Sequence, residues 1–113
     1  MIEFHRVSKK FQNNFWEKDF YGLKDASFEI RAGSMTGFLG ANGAGKTTAI
    51  KMLMKFSSVS SGSIEYKGLG NSDEVILSQM GYLPERAYLY QHLTGREFLE
   101  YVGSISSLSV QDL

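Results

Sequence analysis

Hydrophobic and polar positions alternate from the start of the chain, with Ile2 and Phe4 apolar and Glu3 and His5 polar between and after them. A period of two puts like side chains on one face of a strand, so a half-buried strand is predicted here. Gln12 to Phe20 is polar and aromatic without a period and reads as a hairpin loop. Ala26, Phe28 and Ile30 then alternate with Ser27, Glu29 and Arg31, which predicts a second half-buried strand, with Gly33 as a turn after it. Met35 to Leu39 is short, largely apolar and not alternating, the pattern of a strand covered on both faces.

Gly40 to Gly45 interrupts that strand, and a helix is predicted from Gly45 or Lys46 to near Phe56. Ile50, Leu53 and Met54 share one face of it at helical spacing, while Lys51 and Lys55 share another. Beyond a serine-rich run, Ser63 to Lys67 alternates around Ile64 and Tyr66 as a third amphipathic strand. Val75 to Leu77 is expected to form a short helix, and Met80 to Leu83 a short buried strand stopped by Pro84. Thr94-Gly95-Arg96-Glu97 fits a capping box, opening a helix with Phe98, Tyr101, Val102 and Ile105 on one face. Ser106 to Leu113 carries no terminating signal beyond its polarity, and no internal repeat is found.

Composition narrows the classes of partner. With 113 residues, 42% hydrophobic and 13% aromatic, the chain can build one core and leaves little room for two. Twelve basic residues balance twelve acidic ones, so no net field draws it to nucleic acid or anionic lipid. That argues against a nucleic-acid module. The absence of cysteine removes disulfides and thiolate metal sites. No segment has the apolar length of a membrane span, and the first residues show no signal-peptide core, so a cytoplasmic chain is expected.

The strongest chemical signal is Gly40-Ala41-Asn42-Gly43-Ala44-Gly45-Lys46-Thr47: glycine, four residues, glycine, lysine, then threonine. A triphosphate is polyanionic, and backbone N–H groups curled around one phosphate offer a dense array of donors. Such a curl needs backbone angles that glycine adopts without strain, hence Gly40, Gly43 and Gly45. Lys46 at the helix start can bring its ammonium to the β- and γ-phosphates, and the Thr47 hydroxyl can ligate Mg²⁺. The helix N-terminus adds a partial positive charge. The predicted strand before the loop and helix after it are the context this motif requires.

The stretch from Gly37 to Thr48 closely resembles the Walker A region of ABC-transporter ATPases. Val7-Ser8-Lys9-Lys10-Phe11 is similar to the family's first strand, Gly22 to Ile30 to its second, and Ser61-Gly62-Ser63-Ile64 to the strand after the phosphate-loop helix. Met80 to Glu85 resembles the entry to the Q-loop, and Leu93 to Leu99 the opening of the helical subdomain. The resemblance implies an α/β fold: a P-loop NTPase core with an antiparallel β-subdomain, truncated at the start of the helical subdomain. It implies that residues 1–113 are a partial ABC ATPase nucleotide-binding domain, that ATP and Mg²⁺ are the cofactors, and that Gly40, Ala41, Asn42, Gly43, Ala44, Gly45, Lys46, Thr47 and Thr48 bind the phosphates and metal.

By the same resemblance Phe11 stands at the position of the aromatic that stacks on adenine, against the alternative of an ordinary core phenylalanine at a strand end. Phe15, Trp16, Phe20 and Tyr21 are weaker candidates for that role. Glu85 stands where most members carry the Q-loop glutamine, as in members resembling export and ABC-2-type systems. It is a candidate Mg²⁺ or coupling residue, against the alternative of a solvated loop acid, and it is not assigned catalysis.

Other family parts do not occur. None of Asp19, Asp25, Asp73 and Asp112 ends the apolar run of a Walker B strand, and no Leu-Ser-Gly-Gly-Gln signature is present. His5 and His92 lie outside the context of a switch histidine. The reading is therefore the N-terminal part of such a domain, from truncation, a split gene or an incomplete record. In the family the Walker B strand lies beside the phosphate-loop strand, so Met35 to Leu39 is expected to expose an apolar edge and the isolated chain to be poorly stable.

The complete protein is expected to be the energy-coupling subunit of an ABC transporter, partnered by a membrane subunit and by a second ATPase domain, at the inner face of the cell membrane. A non-catalytic nucleotide-binding or regulatory fragment is the alternative. A small kinase would need an arginine-rich lid, and Arg6, Arg31, Arg86 and Arg96 form no such cluster in the sequence.

Overall fold

The structure is a computed structural model and describes residues 1–12, 18–86 and 89–105. It divides into two compact units, Met1–Tyr82 and Leu83–Leu113, each of which is described by itself.

The first unit is built on an antiparallel sheet of three strands: β1 (Ile2–Phe11), β2 (Phe20–Ile30) and β3 (Ser61–Tyr66), in the order β2-β1-β3. β1 is central, so its inward positions carry the core. Ile2, Phe4 and Val7 are buried and cluster with Ala49 and Met52 from helix α1 (Lys46–Leu53). The Phe4 ring is stacked on Phe28 across the β1–β2 ladder, with centroids 4.2 Å apart. The alternation read from the sequence is the observed one: Phe28 and Ile30 turn inward and Ser27 and Glu29 outward, and Ile64 and Tyr66 do the same in β3. Ser72 caps helix α2 (Asp73–Ser78) by accepting a bond from the Val75 N–H.

Register shifts mark β1 near Arg6 on both of its sides. A bulge leaves backbone groups without ladder partners, and serine hydroxyls supply them. Ser27 Oγ accepts from the Arg6 N–H at 2.9 Å, and buried Ser8 Oγ accepts from the Asp25 N–H at 2.9 Å. On the β3 side the strand can approach the bulge only because residue 62 is glycine. Its φ is +83°, and a Cβ there would collide with the Arg6 carbonyl oxygen and stand 2.5 Å from that of His5. Gly68 has nearly the same φ, +80°, with open space around it. Gly68→Ala is therefore expected to cost only the left-handed strain of about 1–2 kcal/mol. Gly62→Ala adds the backbone collision and should cost about 2–5 kcal/mol. Urea unfolding of the two variants checks this, and equal costs would rule out the collision.

Several expectations are corrected. Met35 to Leu39 is not a strand: it has no ladder partner among the described residues, and Met35 and Leu39 are 102% and 96% exposed. Only Phe38 turns in, packing edge-on against Phe28 at 5.4 Å. Met80 to Leu83 is likewise not a strand, for the same want of a partner. Helix α1 stops at Leu53 rather than near Phe56, because Lys55 adopts φ +56° and turns the chain back. Its buried face is Ala49 and Met52, with Ile50 and Leu53 on the flanks and Met54 buried just past the end. The predicted hairpin loop is shorter than expected, since Phe20 already belongs to β2, and residues 13–17 lie outside the described residues.

In the second unit, helix α3 (Gly95–Ile105) opens on the capping box as predicted. The Thr94 N–H donates to Glu97 Oε2 at 2.7 Å, and the Glu97 N–H donates to Thr94 Oγ1 at 3.3 Å. The Thr94 hydroxyl also donates to Oε2 at 2.7 Å, and the bonds donated by the Thr94 backbone and hydroxyl hold the Glu97 carboxyl below its usual range. Tyr90 gathers with His92, Phe98 and Tyr101, its ring centroid 5.8 to 6.2 Å from theirs. Most of the face named in the sequence is exposed: Tyr101, Val102 and Ile105 face outward and Phe98 is half-buried.

Candidate nucleotide-binding site

The glycine loop and the start of α1 have the local form that the sequence demands. Gly40, Gly43 and Gly45 have φ of +154°, +84° and +92°, values that other residues adopt only with strain. Gly45 is the N-cap of α1 and offers no side-chain cap, and no acid lies in the first turn. The first helical bond runs from the Ala49 N–H to the Gly45 carbonyl at 2.8 Å. The N–H groups of Lys46, Thr47 and Thr48 thus precede it, at the positive end of the helix. Lys46 folds back over the loop, donating from Nζ to the Gly40 carbonyl at 2.5 Å and to the Ala41 carbonyl at 2.8 Å. Residues 40–44 and Thr47 are exposed, and Lys46 and Thr48 are half-buried. This donor set suits a polyanion. Backbone N–H groups, an ammonium and a hydroxyl are carried by neighbouring residues at this helix start, with no carboxylate in the first turn to oppose them.

Phe11 ends β1 as a half-buried residue and pairs with Phe20 at the start of β2. Their rings stack with centroids 5.3 Å apart, and Lys9 Nζ lies 5.6 Å from the Phe11 centroid. The structure brings Phe11 close to α1 through one residue, Gly22 of β2. A Cβ on Gly22 would collide with Phe11 Cε2 and stand 3.1 Å from Thr48 Oγ1. Tyr21, also on β2, is exposed, and Phe15 and Trp16 lie outside the described residues. Glu85 is exposed just after Pro84, in the second unit. Gly22 was not singled out by the sequence reading. The available signal was a glycine beside an alternating strand pattern, which marks a bulge or a close backbone approach.

Comparison with known proteins fixes the class and then the family. Of solved structures, the dimeric ATP-binding cassette MJ0796 bound to ADP and Pi superposes with a TM-score of 0.76 over 94% of this chain and 48% of its own, at 21% identity. The fold is that of a P-loop NTPase cassette. The ABC transporter family model matches residues 23–112, and the chain belongs to that family. It is 37% identical over 113 residues to an uncharacterized ABC transporter ATP-binding protein of Synechocystis, covering 99% of this chain and 32% of the relative. A putative ABC transporter ATP-binding protein of Mycoplasma pneumoniae is 34% identical over 113 residues, covering 100% of this chain and 34% of the relative. The rat phospholipid-transporting ATPase ABCA3 is 34% identical over 112 residues, covering 97% of this chain and 6% of its own length. The chain thus spans about a third of the length of the first two relatives. No helix among the described residues is long and apolar enough to cross a membrane.

Proposed function

We propose that the chain binds Mg-ATP as the nucleotide-binding part of an ABC transporter ATPase. The observation that carries this reading is Lys46, whose ammonium folds over the glycine loop against the Gly40 and Ala41 carbonyls, beside an uncapped helix N-terminus. A phosphate entering the loop takes over those lysine bonds and the free N–H groups of the first turn. Gly40 to Thr48 hold the phosphates, the Lys46 ammonium reaches the β- and γ-oxygens, and the Thr47 hydroxyl ligates Mg²⁺. The metal, when bound, neutralises phosphate charge. Phe11 is the adenine platform, and Glu85 is a further Mg²⁺ or coupling residue of the Q-loop.

In the whole protein this domain pairs with a second ATPase domain and couples ATP hydrolysis to a membrane subunit at the inner face of the cell membrane. Residues 1–113 form a partial nucleotide-binding domain with the phosphate loop and the Q-loop. The 113-residue polypeptide by itself binds and does not turn over, because its sequence offers neither a signature motif nor a Walker B carboxylate to polarise water. A phosphate-release assay on the purified chain with Mg-ATP is expected to stay at the no-enzyme background. Release well above background and abolished by Lys46→Ala would overturn the claim of no turnover. Equilibrium binding of Mg-ATP tests the binding itself, and its absence from folded protein would end the reading.

A further inference from the structure

We propose that Gly22 is a positioning residue that sets the adenine platform against the phosphate loop, an inference that rests on the reading of Phe11 and Gly40 to Thr48 above. Three contacts converge on this one residue. The Phe11 ring lies so close that a Cβ on Gly22 would collide with its Cε2. The Thr48 hydroxyl lies within 3.1 Å of the same Cβ position. On the other side, a Cβ on Gly45 would stand 2.5 Å from the Gly22 carbonyl oxygen, so the N-cap of α1 rests on the Gly22 peptide.

The register explains why a single peptide can face both ways. Lys10 pairs with Tyr21 and Lys9 with Leu23, so Gly22 is the extra residue of a bulge in β2. A bulge re-aims the chain, and a glycine there permits close approach on both sides. Gly22 is not among the residues with positive φ, so glycine is required by space and not by backbone angle. The ring is held on its face as well, by Phe20 at 5.3 Å. Phe20 and Gly22 together leave Phe11 little freedom. The base platform and the phosphate clamp are thereby joined through one peptide, which fixes the span between the ends of a nucleotide.

Adding one methyl at Gly22 displaces the ring but leaves Lys46 and the loop glycines in place. The Thr48 hydroxyl can turn away from a contact of 3.1 Å, so the effect should fall mainly on the base and only slightly on the phosphates. The test is calorimetric titration of the 113-residue chain with Mg-ATP and, separately, with Mg-tripolyphosphate, which has the phosphates and no base. Gly22→Ala is expected to weaken ATP binding about five- to tenfold, the scale of losing a well-placed base–aromatic stack. Tripolyphosphate binding should change by less than about twofold. In a Phe11→Ala background, Gly22→Ala should change ATP affinity by less than about twofold, since coupled residues are not additive. Circular dichroism reports whether each variant folds. If Gly22→Ala does not, Phe20→Leu removes the backing ring with Gly22 intact and should give the same split between ligands. Equal losses for both ligands, or a full additional loss in the Phe11→Ala background, would overturn the proposal. Failure of wild-type chain to bind tripolyphosphate, or binding indifferent to Lys46→Ala, overturns the phosphate-loop reading itself and the proposal with it.

Discussion

Lys46→Ala should lower the affinity of the chain for Mg-ATP by about ten- to a hundredfold, the scale of one charge-assisted hydrogen-bonded contact. The side chain lies over the loop mouth, bonded only to the Gly40 and Ala41 carbonyls among the described residues. Both carbonyls belong to exposed residues, so removing the lysine leaves them to water and costs the fold little. Alanine is also the best helix former at that position, the first residue of α1. Binding and folding should thus separate: affinity falls while the thermal transition moves by no more than a few degrees. Lys46→Arg keeps the charge but exchanges a compact ammonium for a wide planar fork, and should recover only part of the loss. Titration at fixed salt checks all three proteins, and equal affinities would mean that the phosphates bind elsewhere.

Local signals in the sequence translate well into structure. The capping box at Thr94 and Glu97 closes through bonds spanning three residues, and no distant element can alter it. The strand faces of Phe28 and Ile64 follow from alternation, because one side of a three-stranded sheet must be covered. The glycine loop is equally local: positive φ at Gly40, Gly43 and Gly45 is a property of the turn itself.

What failed depends on partners that no local pattern specifies. Met35 to Leu39 has the composition of a buried strand, but a strand exists only through its ladder, and Met35 and Leu39 meet no covering layer among the described residues. The buried face of α1 was displaced by one residue because close packing on Ile2, Phe4 and Val7 selects the small Ala49, which hydropathy underrates. Phe11 shows a third limit. Spacing gave only an aromatic at a strand end, and its proposed role came from resemblance. Its juxtaposition with Gly22 and Thr48 arises from the packing of β1, β2 and α1, which spacing along the chain does not specify.

Phe4→Ala should remove most or all of the cooperative unfolding transition. Phe4 is 2% exposed at the centre of the sheet, stacked on Phe28 at 4.2 Å, in a cluster with Ile2, Val7, Ala49 and Met52. Truncating a buried phenylalanine to alanine costs about 3–5 kcal/mol, from lost apolar transfer and the cavity left behind. A native domain has about 5–15 kcal/mol in total, and this one has a small core and apolar residues such as Met35 and Leu39 fully in water. The loss is thus a large part of the whole. Phe38→Ala is the control: Phe38 is half-buried and meets Phe28 edge-on at 5.4 Å, so it should cost distinctly less. Phe4→Leu, which keeps most of the buried volume, should fall between them. Urea titrations followed by far-ultraviolet circular dichroism order the three variants. If Phe4→Ala unfolds within about 1 kcal/mol of wild type, well below the usual cavity cost, the core is not organised around β1.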